Sequence, residues 1–266
     1  MAAKKKASKA IAVRGTGSEV GHVNDWKERL RQKAEKEEQR LAPVGGSNIS
    51  TRNGQFSVGG DVLGKELEVV ILNHARWKTY YDRPFDPDNP TVPACFAVSS
   101  SCDRESVNSM EPEDIAPVKQ NDICFTCDQN QFGSALQGDG KACRDQIHLA
   151  VIAADDLGDD EPEVRILSVP PTSMGQYNMA AKKATKVLKV PLWACVTKVT
   201  IVPHKAAFRL EFEIESLIED DDKLTMLEQK AENILETLME LPDVSLYEPP
   251  AKNKRTPPGR TSVKRK

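Results

Sequence analysis

Between residues 48 and 218, short apolar runs alternate with clusters of turn residues. The alternation is clearest in residues 208–215, where every second position is apolar and the intervening positions are charged. A period of two residues indicates a half-buried antiparallel strand. Several such runs, separated by turns, predict a mainly β domain in the form of a small barrel or sandwich.

Three segments have the composition of helices instead. Residues 25–41 are strong helix formers with few apolar positions, which predicts a mobile or docking helix. In residues 172–188 we expect a helix capped by Thr172 or Ser173. Residues 219–242 begin with acids and predict an amphipathic helix. Its apolar stripe comprises Leu224, Leu227, Ala231, Ile234, Leu235 and Leu238.

Charge divides the chain into three parts. Residues 1–44 carry a net charge of +5 and residues 251–266 a net charge of +7, whereas the middle carries −15. We therefore predict a basic disordered tail with its mobile helix (1–44), a β-domain (45–218), the amphipathic helix (219–242) and a basic disordered tail (243–266). Because phosphate binding depends on clustered Lys and Arg, a nucleic-acid site in the middle part must be a local basic patch.

Some functional classes are disfavoured by the sequence. The apolar runs are far shorter than the roughly 20 residues of a membrane span, and the first residues lack the apolar stretch of a signal peptide. We therefore expect a cytoplasmic location and no membrane partner. There is no P-loop, GxSxG or HExxH motif, and the histidines are scattered. We expect neither enzymatic activity nor a small-molecule substrate.

Five of the six cysteines fall between residues 95 and 143. Cys124 and Cys127 form a CxxC pair, and Cys143 follows after fifteen residues. In a reducing compartment such pairs bind metal more often than they form disulfides. The segment 121–140 is polar and glycine-bearing, so a bound ion would supply stability that the loop lacks. We predict one structural Zn²⁺, since four protein ligands leave no open position for catalysis. The candidates for its fourth ligand are Cys95, Cys102 and His148.

Aromatic and basic side chains interleave most densely just after a predicted strand. Proteins that bind single-stranded DNA combine cations with rings on which bases stack, each stack contributing about 1 to 3 kcal/mol. The candidate DNA-binding residues are Arg76, Trp77, Lys78, Tyr80, Tyr81, Arg83 and Phe85, with a second basic strip at Lys182 and Lys183. The alternative is that the aromatic rings fill the end of the barrel. Exposure of these rings would favour DNA binding, and burial would favour a protein-interaction role.

The order of several short motifs resembles a family of tailed-bacteriophage proteins that includes single-stranded DNA-binding proteins. The motifs are YYDRPFDP at 80–87, PACFA at 93–97, CFTCDQNQFGSA at 124–135, GKACRDQIHLAVI at 140–152 and VPPTSM at 169–174. The resemblance covers roughly residues 55–215. It implies an OB-like β-barrel with a zinc-binding insertion at about 95–148. It also implies Cys95 as the fourth zinc ligand and Cys102 as an additional cysteine.

By this resemblance the chain coats single-stranded DNA without sequence preference, in replication or recombination, in the cytoplasm of an infected host cell. Phage replication proteins are the further partners it implies. Two features depart from the pattern: Arg144 is followed by Asp145 where the family tends to be basic, and the chain ends in a basic rather than an acidic tail.

The alternative function is a zinc-stapled protein-interaction or virion-associated phage protein without direct DNA binding. Its tails and the helix 219–242 would then bind protein partners. On the DNA-binding hypothesis, Trp77→Ala combined with Tyr81→Ala weakens single-strand binding and leaves folding intact.

Overall fold

A fifteen-residue strand runs through the centre of the fold. The computed structural model describes residues 48–84, 91–135, 138–159, 161–205 and 207–249. The predicted helix at 25–41, the N-terminal tail, Phe85 and residues 250–266 of the C-terminal tail lie outside the described residues. The described strands are β1 (Asn48–Ile49), β2 (Phe56–Val58), β3 (Asp61–Gly64), β4 (Glu66–Tyr80), β5 (Cys95–Ser99), β6 (Arg144–Ala153), β7 (Arg165–Val169), β8 (Cys195–His204) and β9 (Ala207–Leu217).

The long strand β4 organises a seven-stranded sheet in the order β1-β7-β6-β4-β8-β9. One edge of β4 pairs with β6 over most of its length. Its other edge is divided, because β8 pairs with the first part of β4 and β5 with the last part. These pairings are antiparallel, whereas β1 joins β7 in parallel. Strands β2 and β3 form a separate antiparallel hairpin.

The predicted mainly β, α+β class is confirmed, and the predicted strand at residues 208–215 lies within β9. The sheet is open, however. Among the described strands β1 and β9 end the sheet and do not pair with each other, so these residues form no closed barrel. β4 pairs with β6 on one edge and with β8 and β5 on the other, so it connects the two halves of the open sheet.

Three α-helices accompany these strands in the described part of the chain: α1 (Arg104–Ser109), α2 (Pro171–Lys182) and α3 (Asp221–Leu238). A π-helical turn, Lys183–Leu188, continues α2. The expected side-chain cap of α2 is wrong: Pro170 occupies the N-cap, and no side chain caps the helix. Ser173 is instead buried, and its Oγ accepts a hydrogen bond of 2.8 Å from the backbone N–H of Leu210. This contact ties α2 to β9.

The two faces of the sheet carry separate cores, because neighbouring β4 residues point to opposite sides. Val69 and Ile71 belong to the core that includes Tyr177 of α2. Val70 and Leu72 belong to the core under α3. The predicted stripe of α3 packs there through Leu227, Ala231 and Leu238, which are all buried. The stripe is thus used within the fold and is not free to bind a partner.

None of the described helices combines the length and hydropathy that crossing a membrane requires.

Candidate metal centre and nucleic-acid groove

Four cysteines from separate segments line one small cavity. Cys95 begins β5, Cys124 and Cys127 bracket a 3₁₀ turn, and Cys143 directly precedes β6. The cavity measures about 20 Å³, which is room for a single water-sized occupant. Three chain segments that are distant in sequence therefore contribute cysteines to the wall of one cavity.

Backbone contacts hold this loop in place. The N–H of Cys124 donates to the carbonyl of Met110, and the N–H of Cys143 to that of Gln129, both at 2.8 Å. Asn130 is 5% exposed, and its Nδ2 donates to the carbonyl of Cys124 at 2.8 Å. The polar side chains that made the segment look poorly folded in the sequence serve as its internal hydrogen-bond donors.

Burial favours the protonated form of three of these thiols, Cys95, Cys124 and Cys143. It raises the pKa of Cys124 to about 11 and that of Cys143 to about 12, and the neighbouring cysteines add to both shifts. Burial is also the main cause of the raised pKa of Cys95. A bound metal ion would lower these pKa values, since a coordinated thiol is deprotonated.

The donor chemistry fits zinc, which favours a set of four sulfur ligands. As they are placed, no three Cys, His, Asp or Glu side chains of the described residues stand close enough together to hold a metal ion. Zinc at this cavity therefore stays a prediction, supported by the four thiols and by the volume between them.

The other two candidates for the fourth ligand lie elsewhere. Cys102 packs against the core under α2. His148 stacks on Trp77, with ring centroids 5.5 Å apart and an interplanar angle of 22°. Both rings lie on the α3 side of the sheet, whereas Cys95 shares the cavity with the other three cysteines. The geometry thus favours Cys95, the ligand that the resemblance implied.

His148 makes the fold sensitive to acid. Burial lowers its pKa from 6.5 to about 4, so between these values the unfolded chain binds a proton that the folded chain does not. The free energy of unfolding therefore decreases as the pH falls through this window, by about 2 to 3 kcal/mol between pH 7 and about pH 4.5.

We expect His148→Phe, which keeps the stack on Trp77, to remove most of this loss. Urea unfolding at both pH values measures it. A similar acid loss in both proteins would assign the effect to other groups, such as the half-buried His74, whose pKa is also lowered by desolvation.

Three of the predicted DNA-binding residues are not accessible. Trp77 is 7% exposed, and its Nε1 donates to the carbonyl of Leu238 at 2.9 Å. Arg76 forms a bidentate pair with Asp145 at 2.8 and 2.7 Å. Lys78 is 3% exposed. The expectation that Trp77→Ala leaves folding intact is also wrong, because truncating a buried Trp costs about 3 to 5 kcal/mol.

Tyr80, Tyr81 and Arg83 have a different environment, because they line an open groove of about 670 Å³. All three are half-buried. Among the described residues, the basic side chains of its lining are Arg52, Arg83, Lys141 and Arg144, and one carboxylate, Asp82, also lines it. The groove is therefore a local basic patch in the part of the chain that carries a net charge of −15.

Two cations that line this groove lie close to aromatic rings, Tyr81 within the groove and Phe132 outside its lining. The guanidinium of Arg144 lies 5.6 Å from the centroid of the Tyr81 ring. Lys141 Nζ lies 5.0 Å from the centroid of Phe132, and that ring is 82% exposed. An exposed ring beside a cation is the arrangement on which a nucleobase stacks while its phosphate is neutralised.

Sequence reasoning missed Arg52, Phe132, Lys141 and Arg144. For Lys141 and Arg144 the sequence did contain an indication, because these two basic residues flank Ala142 and Cys143 in the motif at 140–152. Asp145 made Arg144 look neutralised, but its carboxylate is held by Arg76. The predicted second strip, Lys182 and Lys183, is exposed at the end of α2 and does not line the groove.

The cysteine cavity and the groove share walls, since Tyr80 and Gln129 line both. The loop held by the cysteines also carries Phe132 and Lys141. Any ligand that fixes the cysteines therefore fixes one side of the groove.

Comparison with known proteins adds no assignment. No family model matches the chain, and neither a curated protein nor a solved structure does.

Proposed function

We propose that this chain is a non-enzymatic single-stranded DNA-binding protein that coats DNA without sequence preference in phage replication or recombination. The observation that carries the proposal is the groove, which combines basic side chains with aromatic rings. Arg83, Lys141 and Arg144 supply charge for phosphates. Tyr81 in the groove and the exposed Phe132, which lies beside Lys141, supply stacking surfaces.

Single strands suit this groove better than a duplex. Stacking on Phe132 requires the open face of a base, and in a duplex these faces are covered by neighbouring bases. The net charge of the middle part disfavours diffuse attraction to DNA, so binding has to be local. A single strand can follow a narrow basic groove and keep the acidic surfaces at a distance.

Zinc has a structural role in this proposal. Cys95, Cys124, Cys127 and Cys143 would hold Zn²⁺ in a closed site, which leaves no position for a substrate or an activated water. When bound, the ion supplies a rigid crosslink between β5, the loop and β6. The region 95–148 would then be the zinc-binding insertion of an OB-like fold whose barrel is open between β1 and β9.

The place of action in this proposal is the cytoplasm of the infected host cell, with phage replication proteins as further partners. The basic tails at 1–44 and 251–266 would add phosphate contacts or bind those proteins.

The alternative is the zinc-stapled interaction or virion-associated protein, which the burial of Trp77 favours. A further observation supports it: large apolar side chains are exposed along the loop around the cysteines. They are Ile115, Val118, Ile123, Phe125 and Phe132. DNA binding is preferred because Lys141 and Arg144 stand beside rings at the groove.

Fluorescence anisotropy distinguishes the two functions. The full chain is titrated against labelled single-stranded and duplex DNA of equal length over a series of salt concentrations. We expect tight binding that prefers the single strand and weakens steeply with salt. Equal weak binding to both DNAs that disappears when residues 1–44 and 251–266 are deleted would favour the interaction protein.

A further inference from the structure

A buried lysine side chain stands next to the four cysteines. Lys78, on β4, is 3% exposed and lines the same cavity as Cys95, Cys124, Cys127 and Cys143. Its backbone partners are Ala97 of β5 and Asp145 of β6. A lysine is almost never this deeply buried unless an opposite charge accompanies it.

Among the described residues, no carboxylate supplies that opposite charge. The nearest acidic residue along the ladder, Asp145, accepts both hydrogen bonds of the Arg76 guanidinium. The ion pairs of the described residues do not include Lys78. The four cysteines share its cavity with Tyr80, Gln120, Gln129 and Asn130. None of these side chains is an anion unless a thiol or the phenol loses its proton. The described part of this cavity therefore places a lysine among four cysteines without a carboxylate partner.

We infer that Lys78 is the charge-balancing residue of a four-thiolate site for a divalent metal ion. This inference rests on the zinc site of the proposed function. A divalent ion with four thiolates has a net charge of −2, and in a buried cavity this charge is itself costly. The Lys78 ammonium reduces it to −1, so the metal complex and the buried lysine stabilise each other.

This arrangement predicts that removing the charge of Lys78 leaves the metal-free fold at least as stable and weakens metal binding. Lys78→Met keeps the length and apolar stem of the side chain and removes its charge. Without metal, the substitution removes an unpaired buried charge, so the fold should melt at least as high as the parent. With metal, the thiolate complex loses its counter-charge, and the affinity should fall about 10- to 100-fold, as for other residues that support metal ligands.

The experiment uses the full chain with Zn²⁺ and Co²⁺. Zinc affinity is measured by competition with a chromophoric chelator, and the Co²⁺ absorption spectrum shows whether four thiolates bind the ion. Thermal melting follows on the chelator-treated proteins. Lys119→Met is the matched control, because Lys119 also lies near Cys95 but is exposed and already paired with Asp114.

The expected result is a four-thiolate spectrum in the parent, a 10- to 100-fold weaker affinity in Lys78→Met, and an affinity within about threefold of the parent in Lys119→Met. Unchanged affinity in Lys78→Met, or equal losses in both variants, would overturn the inference. So would a large drop in the melting temperature of metal-free Lys78→Met, which would mark a purely structural lysine. If the parent binds no metal, the inference fails, while DNA anisotropy separately decides the proposed function.

Discussion

Replacing Arg83, Lys141 and Arg144 together by glutamine lowers the affinity for single-stranded DNA about 100-fold at about 0.1 M salt. Each phosphate contact with a single strand adds about 0.7 to the slope of log affinity against log salt. Three lost contacts make the slope about 2 units shallower. Over a tenfold range of salt, this difference in slope corresponds to a difference in affinity of about 100-fold. Anisotropy titrations of the parent and the triple variant over this range measure both quantities.

The chain provides a matched control for this experiment. Lys182→Gln, Lys183→Gln and Lys186→Gln remove the same charge from the exposed end of α2, which does not line the groove. We expect this control to retain the parental slope to within about half a unit. Equal losses in both triple variants would show that net charge, and not the groove, determines binding.

Cys127→Ser has the second large expected effect. Serine is a poor zinc ligand, so the ion that joins β5, the loop and β6 is lost or loosened. Loss of a structural metal belongs to the few substitutions that cost about 4 kcal/mol or more, which lowers Tm by roughly 10 °C in a chain of this size. Metal analysis and thermal melting measure the two effects. DNA affinity should fall as well, because the same loop carries Phe132 and Lys141.

Cys102→Ser is the control for this variant, because Cys102 lies outside the cysteine cavity. It should retain the zinc content of the parent. If Cys127→Ser melts like the parent and neither protein contains zinc, the metal proposal is wrong, and the loop depends on hydrogen bonds such as that of Asn130 to Cys124.

Much of the candidate site was visible in short stretches of sequence. The CxxC pair and Cys143 flagged the loop because thiols at close spacing have few other uses in a reducing compartment. The choice among Cys95, Cys102 and His148 was different, since the residues alone left it open. It depends on which β-strand lies beside the loop, and the pairing of β5 with the end of β4 brings Cys95 there.

The basic groove was harder to predict than the cysteines. Arg144 and Asp145 are adjacent in sequence, which suggested that their charges cancel. In a strand, however, neighbouring side chains point to opposite faces. Asp145 accepts hydrogen bonds from Arg76, its diagonal neighbour on β4, and Arg144 lies against Tyr81 in the groove. The partner of each charge is thus set by strand pairing.

The sequence by itself determined the elements that depend on local periodicity. The two-residue alternation of β9 and the apolar stripe of α3 are both present as expected. Such patterns report which side of an element is apolar, but they do not specify what covers that side or whether a sheet closes. Only the tertiary structure decided that α3 covers Trp77 and that the sheet stays open. The physical reason is that burial and strand pairing join residues far apart in the chain, as in the 161-residue separation between Trp77 and Leu238.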